Sequence, residues 1–231
     1  MKPQLRQRLF ELLQIVYPNL CLSCGQSLSY KQEFICTACL HSLPFTQNWK
    51  QENNSMEMHL WGRFAFHRAC SLFYFVKNSG VQNLLHELKY RNQKELGIFL
   101  GEMLAEKMKE SMSCDFDFVI PVPLHPQKER QRGYNQSQQF AVGIAKVFNC
   151  KADTQFLHRK HATETQTKKN LFQRLDNVAS VFELNNPQLL KDKSVLLVDD
   201  VLTTGATIEA CATTLNKVEN LQLSIATIAI A

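Results

Sequence analysis

Two groups of residues in this chain have types and spacings suited to chemistry. The first is Asp199-Asp200, followed two residues later by Thr203-Thr204-Gly205-Ala206-Thr207. Adjacent carboxylates can accept hydrogen bonds from the vicinal hydroxyls of a sugar. A turn of small and hydroxylated residues opening a helix offers backbone N–H groups, Thr hydroxyls and the positive end of the helix dipole to a phosphate. A ribose 5-phosphate satisfies both halves. The plainer alternative is a strand-to-helix turn whose Asp and Thr side chains only cap the helix. The second group is Cys21, Cys24, Cys36 and Cys39, two Cys-x-x-Cys pairs with eleven residues between them. Two intervening residues let both thiolates of a pair reach one ion at about 2.3 Å, and Gly25 relaxes the first knuckle. Two disulfides or a redox dithiol would leave the doubling of the pair unexplained. A closed set of four thiolates therefore points to a structural zinc ion that a fragment this short needs in order to fold.

The elements around these residues follow from hydrophobic patterning. Val195-Leu196-Leu197-Val198 reads as a strand buried on both faces, with the two acids at its carboxyl end and a helix from about 208 to 217 after the turn. Upstream, a helix over 5–17 ends at Pro18, and the polar stretch 41–60 reads as a linker. Residues 64–76 supply one or two strands, 81–90 and 96–108 two helices, and 116–124 a strand that Pro121 and Pro123 turn into a loop. That loop carries Lys128, Arg130 and Arg132 and leads to a helix over 137–148. A strand centred on Phe156-Leu157, a long basic loop over 158–174 and a strand over 178–184 complete the series.

Strands alternating with helices predict an α/β fold with a parallel sheet and right-handed crossovers. In such sheets ligands sit beyond the carboxyl ends of the strands, where the proline loop, the basic loop and the phosphate turn would meet. Residues 125–174 hold ten Lys/Arg against three acids, a local charge of +7 in a chain whose total is +5. Such a concentration suits a pyrophosphate or the backbone of a nucleic-acid strand.

The chain has 231 residues, 45% of them hydrophobic, which is enough for one ordinary α/β domain and a small appendage. No apolar run reaches the length of a membrane span, and the N-terminal segment lacks a signal-peptide cleavage site. The cell interior is the expected location. Cys70, Cys114, Cys150 and Cys211 are scattered and read as small apolar residues, and His41 and His59 as surface residues.

The strand, Asp-Asp and Thr-Thr-Gly-x-Thr series resembles the phosphoribosyl pyrophosphate (PRPP) motif of type I phosphoribosyltransferases. A wider set extends the likeness: the paired cysteines, Leu88-Lys89-Tyr90-Arg91, Val122-Pro123-Leu124, Arg132-Gly133-Tyr134-Asn135-Gln136, Thr163-x-x-Gln166 and Arg174-x-x-Asn177-Val178. In that order they resemble the ComF family, phosphoribosyltransferase-like proteins associated with natural competence. The resemblance implies a zinc-bearing module over 1–60 and a phosphoribosyltransferase-like domain over 61–231. It implies PRPP contacts from Asp199, Asp200 and Thr203 to Thr207, with Mg2+ accompanying PRPP. Anion contacts would come from Lys89, Arg130, Arg132, Gly133 and Arg174. It further implies a cytoplasmic role in handling incoming single-stranded DNA, with other DNA-uptake proteins as partners. The enzymatic alternative is transfer of ribose 5-phosphate from PRPP to an acceptor.

Overall fold

The computed structural model describes residues 18–112, 114–160 and 181–231. The helix expected over 5–17, most of the basic loop and Arg174 lie outside these residues.

Five parallel strands form the central sheet: β1 (Ala69–Tyr74), β2 (Phe118–Pro121), β3 (Lys151–Ala152), β6 (Ser194–Leu202) and β7 (Gln222–Ile230), in the order β1-β7-β6-β2-β3. The apolar run of β6 is why it lies at the middle. Leu196 and Val198 enter one core and Val195 and Leu197 the other, and all four are fully buried. Burying a Val or Leu side chain contributes about 1.5–3 kcal/mol, so a strand apolar on both faces is most stable between two layers. On the first face lie α3 (Gly80–Tyr90), α4 (Lys94–Ser111) and α6 (Gln136–Phe148). On the second lie α2 (Ser55–Leu60) and α7 (Ala206–Leu215). Helices α4 and α6 touch backbone to backbone, because a Cβ on Gly101 or Gly143 would collide with the carbonyl of Phe140 or Ile98.

Several expectations need correction. The strands expected near 156–157 and 178–184 are not members of the parallel sheet. They form β4 (Leu157–Arg159) and β5 (Phe182–Leu184), a separate antiparallel pair that packs its Leu157 and Phe182 into the second core. The basic segment after Pro123 is not all loop. It contains the helix α5 (Pro126–Arg132), started by the His125 cap with Pro126 at its first position and closed by Gly133 at φ 79°. The C-terminal strand β7 has no counterpart among the expected elements, although eight of its nine residues are buried.

The stretch expected as a linker is packed structure. Trp49 is buried, and Asn54 and Glu57 form a capping box at the start of α2. The Asn54 amide also donates to the carbonyl of Ala69 (2.9 Å), and Glu57 accepts from the Ala69 N–H and from Arg68 Nε (2.9 Å). Next to it, Thr46 N–H donates to Leu72, Tyr74 N–H donates to Pro44, and Phe45 bridges Phe73 in antiparallel fashion. This segment covers the β1 edge, which would otherwise present unpaired strand groups.

Candidate functional site

The two acids of β6 have different partners. Ser137 Oγ, in the first turn of α6, donates to Asp199 Oδ1 (2.9 Å), and the Asp200 N–H donates to the same oxygen (2.8 Å). Burial, followed by the neighbouring Asp200 charge, pushes the Asp199 carboxyl up to about 7; these two hydrogen bonds and Lys89 only partly offset the rise. Asp200 instead forms an ion pair with Lys89 Nζ at 3.0 Å. Both acids are half-buried, and β6 continues past them to Leu202. They therefore occupy a recessed position rather than the strand tip expected from sequence.

The turn after β6 exposes Thr203, Thr204, Ala206 and Thr207, while Gly205 is buried at φ 78° and caps α7. Only glycine takes that backbone conformation at no steric cost. Arg63 braces the turn from beneath. Its Nη1 donates to the Thr204 carbonyl, and its Nε (3.0 Å) and Nη2 (2.5 Å) both reach Glu209 Oε2 on α7. A Cβ on Gly205 would press against this guanidinium. Arg63 has no local sequence signal, since its partners lie far along the chain.

The Arg132 to Gln136 series serves mainly to hold the rim together. Tyr134 is buried, and its hydroxyl donates to the Leu88 carbonyl, one residue before Lys89. The Asn135 amide donates to the Val122 carbonyl (2.9 Å), while its Oδ1 caps Ser137, the residue that holds Asp199. Arg132 donates to Gln136 (2.7 Å) and lies 5.8 Å from the centre of the Tyr90 ring. Arg130 is exposed on α5. Thus Lys89 comes to the acids, Arg132 comes to Tyr90, the residue after Lys89, and Gly133 serves as a helix stop. A cleft of about 800 Å³ separates the proline loop at Pro121, Pro123 and Leu124 from His158 and Arg159 of β4.

At the other end, the sulfurs of Cys21, Cys24, Cys36 and Cys39 all lie within 4.8 Å of one another. The Cys24 and Cys36 sulfurs are 3.8 Å apart, which is about the edge of a tetrahedron with 2.3 Å metal–sulfur bonds. Burial opposes ionisation of Cys21, but the N–H groups of Cys36, Cys24 and Ser23 outweigh it and hold that thiol at about 7. Burial and then the crowding of the other thiols push Cys39 up to about 12. Four sulfurs this close can all be ionised only around a cation, so the cluster can hold a metal ion. His41 and His59 are exposed and outside the cluster, as expected. Cys70 and Cys211 are buried as expected, and Cys114 and Cys150 are half-buried.

A parallel sheet flanked by helices, with a recessed Asp pair and a glycine-capped turn after β6, has a phosphoribosyltransferase-like fold. The phosphoribosyl transferase domain family matches residues 135–230. Over a longer span, the chain is 23% identical to competence protein F of Haemophilus influenzae across 217 residues, covering 88% of this chain and 94% of that protein. It is 25% identical to competence protein ComFC of Streptococcus pneumoniae across 194 residues, covering 82% and 77%. It is 30% identical to the DNA utilization protein YhgH of Salmonella typhimurium across 133 residues, covering 56% of this chain and 58% of that protein. The chain thus spans little more than half the length of the YhgH relatives it matches. Among solved structures, the glutamine PRPP amidotransferase of B. subtilis aligns with a TM-score of 0.44 at 18% identity, covering 62% of this chain and 30% of that one. The chain is thus similar to competence proteins F and ComFC over most of its length, carries a phosphoribosyl transferase domain match over residues 135–230, and has a four-cysteine cluster toward its N-terminus. Among the described residues, no helix is long and apolar enough to cross a membrane.

Proposed function

We propose that this chain binds PRPP, or another ribose 5-phosphate compound, at the β6–α7 turn and serves in the cytoplasmic handling of single-stranded DNA during competence. The observation that carries the ligand reading is the juxtaposition of Asp199 and Asp200 with the exposed Thr203 to Thr207 turn, braced by Arg63. The acids would accept from the ribose hydroxyls. The turn would receive the 5-phosphate on N–H and hydroxyl donors. Lys89 would exchange part of its pairing with Asp200 for the ligand's negative charge. The pyrophosphate would bring Mg2+ and lie toward Arg132 and the cationic groups of the rim.

The competence role rests on the relatives named competence protein F, ComFC and DNA utilization protein. Zinc is the ion we assign to Cys21, Cys24, Cys36 and Cys39, because four thiolates in a closed tetrahedral set suit it best. On this reading residues 1–60 are a zinc-bearing module seated on the phosphoribosyltransferase-like domain of 61–231, with DNA-uptake proteins as partners.

A second reading, true phosphoribosyl transfer, is favoured by Asp199, a carboxyl poised to exchange a proton near neutral pH. Calorimetry with ribose 5-phosphate and with PRPP, with and without Mg2+, tests binding. Saturable binding lost in Asp200→Asn supports it, and no heat from either ligand would refute it. Pyrophosphate release on addition of an acceptor would establish the transferase reading.

A further inference from the structure

One polar side chain inside the sheet has no partner. Thr227, in the middle of β7, is fully buried, and its Oγ1 makes no hydrogen bond. Among the described residues only Asn48 Nδ2 is left in the same state. A hydroxyl that gives up water without gaining a partner is destabilising, and a valine of the same shape would avoid this.

The neighbours of Thr227 show what could use it. In the parallel register it lies opposite Asp199 of β6 on one side and Ser71 of β1 on the other. Alternation along the strands puts all three on the second face, because Ile225 of β7, Val195 and Leu197 of β6 and Ala69 of β1 enter the second core. Adjacent strands run about 4.8 Å apart, and a Thr side chain can hydrogen-bond to the residue directly opposite across that gap. The Ser71 hydroxyl is taken, since it donates to the Phe73 carbonyl (3.3 Å). Asp199 has room. Its Oδ1 receives Ser137 and the Asp200 N–H, whereas its Oδ2 accepts no bond among the described residues.

The charges around Asp199 leave a place for a neutral donor. Asp200 beside it pairs with Lys89 of α3, a helix of the first face. On the second face stands Cys211 of α7, whose thiol is held well above its ordinary value by burial and then by the Asp199 charge, with Arg159 of β4 opposing both. Among the described residues no cation pairs with Asp199 from that face.

We propose that Thr227 is a positioning residue for Asp199: once that carboxylate is charged, the Thr227 hydroxyl turns about χ1, donates to Oδ2 and holds it toward the ligand. The identity of the ligand rests on the phosphoribosyl reading; the bond between the two side chains does not. Oδ2 has two lone pairs, so one takes Thr227 and the other stays open for a ribose hydroxyl. With Ser137 on one oxygen and Thr227 on the other, the carboxylate is ordered before the ligand arrives.

The experiment follows the NMR shift of the Asp199 carboxyl carbon against pH in the full chain, assigned by its loss in Asp199→Asn, beside calorimetry with ribose 5-phosphate. Thr227→Val exchanges the hydroxyl for a methyl, and Thr227→Ser keeps the hydroxyl. Thr227→Val should raise the Asp199 midpoint by about one pH unit, which is the worth of one hydrogen bond to a charged group. It should also weaken ribose 5-phosphate several-fold at pH 8. Its melting temperature at pH 5, where Asp199 is protonated, should not fall, because no bond is lost there. Thr227→Ser should titrate and bind as wild type. An unmoved midpoint in Thr227→Val would show that Thr227 only packs, and would overturn the proposal. Equal ribose 5-phosphate affinity in wild type and Thr227→Val would overturn it too. If ribose 5-phosphate fails to bind the wild type, the phosphoribosyl reading falls, and the titration still decides the bond.

Discussion

Arg63 Nη2 lies 2.5 Å from Glu209 Oε2, joining the loop after α2 to the first turn of α7. Because the same guanidinium donates to the Thr204 carbonyl, the ion pair sets the shape of the β6–α7 turn from below. The pair is partly exposed, with 27% and 36% of the two side chains in water, so its contribution to stability should be small, about 0–1 kcal/mol.

Its effect should therefore fall on ligand binding. Arg63→Ala should leave the melting temperature within a few degrees of wild type and weaken ribose 5-phosphate several-fold, because a loosened turn must be ordered on binding. Arg63→Lys should not restore it, since an ammonium cannot reach Glu209 and Thr204 in the same fork geometry. Calorimetry beside thermal melts checks this. Equal losses in stability and affinity would show a merely structural brace.

The four-cysteine module should carry about one zinc per chain by elemental analysis of freshly purified protein. Cys21, Leu28 and Ile35 share a core with Leu43, Val81 and Leu84, and the Asn83 side chain donates to the Ser23 carbonyl at 2.8 Å. Removing the ion with a chelator, or changing Cys24 to Ser, should thus lower the melting temperature of the whole molecule in one transition. A module that melts separately while the sheet keeps its stability would contradict the shared core.

How much of this could be read from the sequence depends on where the cause of each feature lies. The β6 strand and the Asp-Asp-to-helix turn were legible because every determinant is local: a four-residue apolar run, two acids, a glycine stop. The cysteine pairs were legible for the same reason. Strand β7 breaks its apolar run with Ser224 and Thr227, which are buried all the same, so its pattern is less plain than that of β6. Helix α5 is charged on every side, which hides its period, though Pro126 at its start and Gly133 at its end mark its bounds. No rule could have placed β4 and β5 outside the main sheet, because three-residue strands carry no partner information. Arg63, Ser137 and Tyr134 matter only through partners far away in the chain, and such pairings leave no local pattern.

Asp199 makes stability depend on pH. Its folded pKa of about 7 lies above the ordinary 3.8, because burial and the Asp200 charge disfavour ionisation. Between those values the unfolded chain has lost a proton that the folded chain still holds, so this contribution is complete below 3.8 and is lost as pH rises through 7. Asp199→Asn removes the charge and should raise the melting temperature at pH 8 by about 2–4 °C for each kcal/mol gained, with little change at pH 4. The same variant should bind ribose 5-phosphate more weakly. Melts across that range decide the point; identical pH profiles would mean that Asp199 ionises normally in the folded protein.

Binding of single-stranded DNA should fall steeply with salt if the basic rim meets a phosphate backbone. Arg130 is exposed on α5, whereas Arg132 is already engaged with Gln136 and the Tyr90 ring. The two should therefore respond differently. Each phosphate contact on a single strand contributes about 0.7 to the slope of log K against log salt. Arg130→Ala should lower the slope by about that amount and affect all oligonucleotides equally. Arg132→Ala should lower it less, because that guanidinium is already engaged with Gln136 and the Tyr90 ring. Titrations with a labelled oligonucleotide between about 50 and 200 mM salt give the slopes. A flat response in the wild type, or an unchanged slope in Arg130→Ala, would place the strand away from α5.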